Sequence, residues 1–269
     1  MQSLSLHAFV RVLFIGADQV ARLCLTDVFI DIPIYDAGSR SLKNNIISAA
    51  TGGQIRPREN AGRAIIRAVD GLSLTIEHGS RLGLIGHNGA GKSTILRVMA
   101  GIYEPTHGRV TVDGEIATMF DMGFGMDPDA NGWENIVLRG MLLGYTRSEI
   151  EARTDEIAAL TGLGEFLNMP LRTYSNGMST RLAFAVSTSL KPEILLIDEG
   201  IGAGDAAFFA QARERMQSFI GSAGILVMAS HSNELLEAWC TEGLWMEHGK
   251  VKMFGPINTV LENYEASIG

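Results

Sequence analysis

Residues Gly86 to Thr94 read Gly-His-Asn-Gly-Ala-Gly-Lys-Ser-Thr, between the apolar run Leu82-Gly83-Leu84-Ile85 and a helix-forming stretch that runs from Ser93 to Ala100. Strand, glycine loop and helix in that order commit the chain to an α/β core, because a buried strand must deliver the loop to the positive N-terminus of a helix. The glycines let the backbone curl so that successive N–H groups point inward at a triphosphate. Lys92 then reaches the outer phosphates, and the Ser93 hydroxyl coordinates Mg²⁺. The candidate nucleotide-binding set is therefore Gly86, His87, Asn88, Gly89, Ala90, Gly91, Lys92, Ser93 and Thr94.

Composition narrows the setting. The chain has 269 residues, 46% of them hydrophobic, which suffices for one large core or two lobes. Acidic residues outnumber basic ones by 30 to 22, and the net charge of −8 argues against a nucleic-acid-coating surface, while leaving room for a local basic patch. Cys24 and Cys240 stand alone without CxxC spacing, so they suit a reducing compartment and offer neither a disulfide framework nor a thiolate metal site. No run approaches the ~20 apolar residues of a membrane-spanning helix. Residues Met1 to Val10 lack the basic start and small-residue cleavage site of a secretory signal. The expectation is a soluble, cytoplasmic chain whose membrane attachment comes through a partner.

Residues 1–20 are weakly patterned. A strand is expected over Arg22 to Pro33, followed by Ile34-Tyr35-Asp36. Ala37 to Ala68, with Gly52-Gly53 and the arginines Arg56, Arg58, Arg63 and Arg67, reads as a long loop enclosing a short helix near Leu42 to Ala49. Alternation predicts a half-buried strand over Leu72 to Ile76, then a turn at His78-Gly79. Gly108 to Gly114 reads as a strand ending in an Asp-Gly turn. Between about 130 and 190 the apolar spacing turns helical, through Ile136, Leu138, Leu142, Leu143, Ile150, Ile157 and Leu160. Strands return at Ile194 to Ile197 and Gly224 to Ala229, before a hairpin around His248-Gly249 and a last helix over Ile257 to Ser267. Strands flanking a helical insertion imply an α/β nucleotide core that carries a separate helical lobe.

Two further segments carry chemistry. Ile194-Leu195-Leu196-Ile197-Asp198-Glu199 is an apolar strand ending in two carboxylates, which suits Asp198 to a bound Mg²⁺ and Glu199 to orienting and deprotonating a water beside a γ-phosphate. Tyr174-Ser175-Asn176-Gly177-Met178 precedes the apolar helix Leu182 to Leu190, so Ser175, Asn176 and Gly177 form either a second anion cradle or a plain helix cap. One triphosphate does not need two cradles. A symmetric dimer does, if the cradle of one copy closes over the nucleotide held by the other.

In their order these motifs resemble the nucleotide-binding subunit of an ATP-binding cassette (ABC) transporter over residues 21–265. Gly86 to Thr94 match the Walker A loop, Asp198 and Glu199 match Walker B, and Ser175 to Met178 stand where the signature Leu-Ser-Gly-Gly-Gln belongs. Asp205 matches the aspartate of the D-loop, and His231 matches the switch histidine that contacts the γ-phosphate. The resemblance implies a P-loop NTPase with a RecA-like core, an antiparallel β subdomain and a helical subdomain at about 125–190, preceded by an extension (1–20) of unknown role. It also implies ATP and Mg²⁺, with Ser93, Asp198 and Asp121 as metal-contacting candidates and Glu199 and His231 as catalytic ones.

The departures point to one branch. Asp121 or Met122 occupies the place of the family's glutamine, Asn176 and Met178 alter the signature, and Gly202-Ala203-Gly204 precedes Asp205. Together with the Gly-Phe-x-Pro segment within Phe120 to Pro128 and the triplet Trp133-Glu134-Asn135, they resemble exporters of polysaccharides: O-antigen, capsule and teichoic acid. Tyr35 is the candidate for stacking on adenine, with a buried strand-end tyrosine as the competing reading. Likewise the Arg56 to Arg67 cluster suits either lipid headgroups or a solvated loop. Some members of that branch carry a further C-terminal domain that reads the glycan, whereas this sequence stops at Gly269, so specificity is expected in the membrane subunits or the lipid anchor. The implied machine is an ATP-hydrolysing homodimer beneath two transmembrane permease subunits, which handle a lipid-linked glycan at the cytoplasmic face of the bacterial inner membrane, with no nucleic-acid partner. Two alternatives are a small-solute importer subunit and a soluble ABC mechanoenzyme. The importer would more often keep the glutamine missing near Asp121, and the mechanoenzyme would carry long coiled-coil insertions or tandem cassettes. A non-hydrolysing nucleotide-binding scaffold would be expected to lose Glu199 or His231.

Overall fold

A one-residue change of phase sets the first layer. Strand β1 (Arg22–Ile34) buries Leu23 and Leu25, then Val28 and Ile30, so the inward alternation slips once between them. A β-bulge absorbs the slip: the pairing register shifts between Leu25 and Val28, and Asp27 sits at φ 49°. The extra residue keeps all four apolar side chains on the core face, and the Asp27 N–H donates to Ser73 Oγ at 2.9 Å. The computed structural model describes residues 20–34, 55–57, 64–120, 125–189, 191–198 and 206–268.

β1 lies between β3 (Ala64–Glu77) and β5 (His107–Asp113), with β2 (Ile55–Pro57) on the far edge of β3, in an antiparallel sheet of order β2-β3-β1-β5. The second sheet has six strands, β4 (Arg81–Ile85), β6 (Ile116–Met119), β7 (Ile194–Ile197), β8 (Ile225–Ala229), β9 (Glu242–Glu247) and β10 (Lys250–Pro256). Their order is β10-β9-β4-β8-β7-β6, and every pair but β9/β10 is parallel. β7 and β8 are buried along their whole length, as expected of parallel strands covered on both faces.

Helix α1 (Lys92–Met99) lies between the two sheets, where Ile95, Leu96 and Met99 join Leu23, Leu25, Leu84 and Val227 in one apolar cluster. The opposite face of the six-stranded sheet is covered by α6 (Ala206–Ser222), α7 (Asn233–Trp239) and α8 (Ile257–Ile268). In between come α2 (Gly132–Leu142), α3 (Arg147–Glu151), α4 (Thr154–Thr161) and α5 (Asn176–Ser187), which close a third core around Ile136, Ile150, Ile157, Leu167 and Leu182. This insertion thus has an apolar centre of its own. Among the described residues, no helix is long and apolar enough to cross a membrane.

Three expectations need correction. The irregular stretch assigned to Ala37–Ala68 contains β2 and the start of β3, because β3 pairs with β1 as far as Ala64 against Ile34. Pairing along that length outweighs the weak local pattern. The short helix near Leu42 lies outside the described residues. Leu138 and Leu142, expected on the core stripe, are 44% and 42% exposed and share a surface with Met141. Helices α6 and α7 are additions that the strand-biased reading of residues beyond Glu193 missed.

Candidate nucleotide-binding site

Three parallel strands deliver the chemistry to one edge. β4, β8 and β7 are neighbours and run the same way, so their carboxyl ends place Gly86, His231 and Asp198 side by side although 145 residues separate the first from His231. Clefts at the carboxyl ends of parallel strands are where α/β sheets bind ligands.

The loop itself is built by close backbone approach. At Gly86 (φ 147°) a Cβ would stand 2.3 Å from the Met246 carbonyl oxygen, and at Gly91 (φ 107°) it would stand 2.6 Å from that of Ala68. Any other residue at either place would push the loop off β9 or β3. Gly91 is also the N-cap of α1, so the positive end of that helix opens directly onto the loop. Lys92 is only 7% exposed, and its Nζ donates to the Gly86 oxygen at 2.5 Å and the His87 oxygen at 3.3 Å. The ammonium therefore lies inside the loop rather than in solvent.

A cavity of about 290 Å³ opens here, lined by His87 to Thr94 together with Asp198 and His231. Ser93 Oγ donates to Asp198 Oδ1 at 3.0 Å. A neutral hydroxyl and a carboxylate facing each other beside a phosphate loop are the hard oxygen donors that Mg²⁺ takes, so these two residues fit that ion. His231 is exposed and faces the cavity from the end of β8.

Sequence reasoning missed three lining residues: Ile66 and Ala68 on β3, and His248 in the β9–β10 turn. The mis-set start of β3 hid the first two. Ser175, by contrast, caps α5 and accepts from Met178 N–H at 3.2 Å; Ser175 and Asn176 are exposed, and none of Ser175, Asn176 or Gly177 lines the cavity. One copy of the chain therefore does not bring the two candidate anion cradles together. Tyr35, Asp121, Met122, Glu199 and Asp205 lie outside the described residues.

Two features noticed in the sequence have structural work instead. Glu134 is the N3 residue of a capping box with Asn131 at the start of α2, and Trp133 Nε1 donates to Asn168 Oδ1 at 3.2 Å. Asn135 is fully buried and ties the preceding segment down through Asp127, Ala130 and Asn131. Arg67 belongs to β3, opposite Asp31 of β1, and grips that carboxylate with Nε at 2.8 Å and Nη2 at 3.0 Å. Asp31 and Asp70 hold its guanidinium above its usual pKa. Neither a headgroup contact nor a solvated loop describes this arginine.

Comparison with known proteins agrees with this geometry. Residues 69–202 match the ABC transporter family. The O-antigen export system ATP-binding protein RfbE of Yersinia enterocolitica is 45% identical over 230 residues, which cover 85% of this chain and 95% of that protein. The O-antigen export system ATP-binding protein RfbB of Myxococcus xanthus is 42% identical over 211 residues, 78% of this chain but 48% of that longer protein. Among solved structures, a dimeric ATP-binding cassette in a post-hydrolysis state, bound to ADP and Pi, superposes with a TM-score of 0.62 over 87% of this chain and 98% of its own length. At 18% identity that likeness speaks for the fold. The chain belongs to the ABC transporter family, as one of its ATP-hydrolysing subunits.

Proposed function

We propose that the chain is the motor subunit of an exporter that moves a lipid-linked polysaccharide, of O-antigen, capsule or teichoic-acid type, across the bacterial cytoplasmic membrane. The observation that carries this reading is the 45% identity to an O-antigen export subunit across 95% of its length. The ATPase unit spans 21–265 with its helical part inserted at about 125–190. It works as a homodimer, peripheral to the inner membrane on its cytoplasmic side, beneath two permease subunits that handle the glycan.

ATP sits in the cavity with its outer phosphates at Lys92, and Ser175, Asn176 and Gly177 of a second copy close over it, with Asp205 at the junction. The separation of the two cradles within one copy supports this arrangement. Closure excludes water and fixes the donors around the developing charge, so positioning and electrostatics supply most of the rate. Glu199 orients and deprotonates the attacking water, His231 contacts the γ-phosphate, and Tyr35 stacks on the adenine. Ser93 and Asp198 would hold Mg²⁺, with Asp121 as a third candidate, and the bound ion would supply neutralisation of the phosphate charge.

The experiment is complementation. In the bacterium that makes the glycan, deletion of this gene strips the polymer from the cell surface, and it accumulates on its lipid carrier inside. Wild type restores export and Glu199→Gln does not. Unchanged surface glycan in the deletion strain would sink the export reading.

A further inference from the structure

At the edge of the nucleotide cavity, which His87 and His248 both line, two chain segments about 160 residues apart bring three candidate metal ligands together. His87 stands in the phosphate loop, and Glu247 and His248 stand where β9 turns into β10. One ligand atom of each lies within 4.8 Å of the others. We propose that His87, Glu247 and His248 form a site for a zinc-class transition-metal dication, which fastens the phosphate loop to the β9–β10 turn.

Four observations carry this. First, His87 Nδ1 is 2.7 Å from the Asn88 carbonyl oxygen. A carbonyl only accepts, so Nδ1 is the donor, and in the neutral ring the lone pair is on Nε2. This is the arrangement in which a backbone carbonyl orients a metal-binding imidazole. Second, the two imidazoles are already in edge contact, with ring centroids 5.1 Å apart and their planes at 60°. Third, the turn is rigid. His248 (φ 50°) and Gly249 (φ 76°) form a two-residue hairpin loop of the type I′ kind, the Gly249 N–H donates to Ala90 O at 3.0 Å, and Asp70 N–H donates to Gly249 O at 2.9 Å. Loop and turn are therefore held against each other before any ion arrives. Fourth, Glu247 Oε2 accepts from Lys252 Nζ at 2.7 Å, which leaves Oε1 for an ion. His248 is exposed and the other two are half-buried, so an ion has a way in.

Ligands on a tetrahedral zinc at about 2.0–2.1 Å stand roughly 3.4 Å apart, so side-chain rotations of about 1 Å close the site. Two imidazoles and one carboxylate select a borderline ion over Mg²⁺, which prefers oxygen donors. The fourth position falls to water. Its ligands are not Ser93 and Asp198, although His87 and His248 line the same cavity, and the site does not depend on what is transported.

The test uses the full chain without nucleotide: zinc chloride is titrated in competition with a chromophoric zinc chelator, and thermal unfolding is followed with and without the metal. The variants are His248→Asn, which keeps a residue tolerant of positive φ before Gly249, and His107→Asn on β5 as a distant control. Wild type and His107→Asn are expected to bind one zinc per chain and to melt higher with zinc. His248→Asn should bind at least about tenfold more weakly and lose the rise in melting temperature. Equal zinc affinity in wild type and His248→Asn, or no binding to wild type, overturns the site. Nucleotide enters neither measurement, so failure here leaves the export reading to its own experiment.

Discussion

Asn135→Ala should unsettle the helical insertion and leave the phosphate loop alone, by an amount that follows from a count of orphaned groups. The Asn135 amide accepts from Asp127 N–H at 2.7 Å and donates to the carbonyls of Asp127, Ala130 and Asn131 at 2.9–3.1 Å. After truncation, Ala130 O still receives the Leu171 N–H and Asn131 O still receives the Asn135 N–H. The groups hit hardest are the N–H and C=O of Asp127. Asp127 is exposed and both bonds are part-buried, so water takes over some of the lost contact; at about 0.5–1.5 kcal/mol per bond, a loss of roughly 1–3 kcal/mol is expected. Against a typical domain stability of about 5–15 kcal/mol, that is readily measured. Urea unfolding followed by hydrogen exchange should place the loss in residues 132–187, where the insertion has its own core. Nucleotide affinity should not change, since none of these groups lines the cavity. A variant within 0.5 kcal/mol of wild type that nonetheless loses ATP turnover would show that the triplet Trp133-Glu134-Asn135 acts in function rather than in capping and tethering.

Lys92→Met removes a charge-assisted contact to the phosphates worth about 1.5–3 kcal/mol, so ATP affinity should fall roughly 10- to 100-fold in a fluorescent-nucleotide titration; unchanged affinity refutes the loop assignment. The two thiols should separate under alkylation. Hydrogen bonds from Thr75 and Thr26 lower the pKa of Cys24, whereas burial pushes that of Cys240 up to about 12. Iodoacetamide at mildly alkaline pH should therefore add one group to the native chain and two to the denatured one, by mass spectrometry. Glu149 is held below its usual carboxylate range by hydrogen bonds from the Thr146 side chain and backbone. A depressed folded value means that the capping contribution is present above the unfolded value and fades as pH falls through the folded one. Thr146→Ala should raise the Glu149 titration midpoint seen by NMR, and an unmoved midpoint refutes that cause.

The parts legible in the sequence are those whose physics is local. The loop from Gly86 to Thr94, the buried run from Ile194 to Ile197 and the helix from Ile257 each carry their signal within about a dozen residues, and each forms where the pattern put it. The same holds for the helical insertion as a class of structure, because a 3.6-residue period is a property of the segment itself. The chain's capacity to bind a triphosphate was thus written in one nine-residue stretch.

What the sequence could not decide is which distant segments meet. The start of β3 is weakly patterned alone and becomes a strand because β1 lies beside it, which in turn puts Ile66 and Ala68 in the cleft and pairs Arg67 with Asp31. Strand order β4-β8-β7, rather than any motif, sets Lys92, Asp198 and His231 around one cavity. It leaves Ser175 elsewhere on the surface. His248 reaches His87 only through the docking of a hairpin turn on the loop. Local propensity chooses elements from a short menu, but pairing partners are chosen by hydrogen bonds and apolar contacts between residues far apart in the chain, and those exist only once the whole has folded.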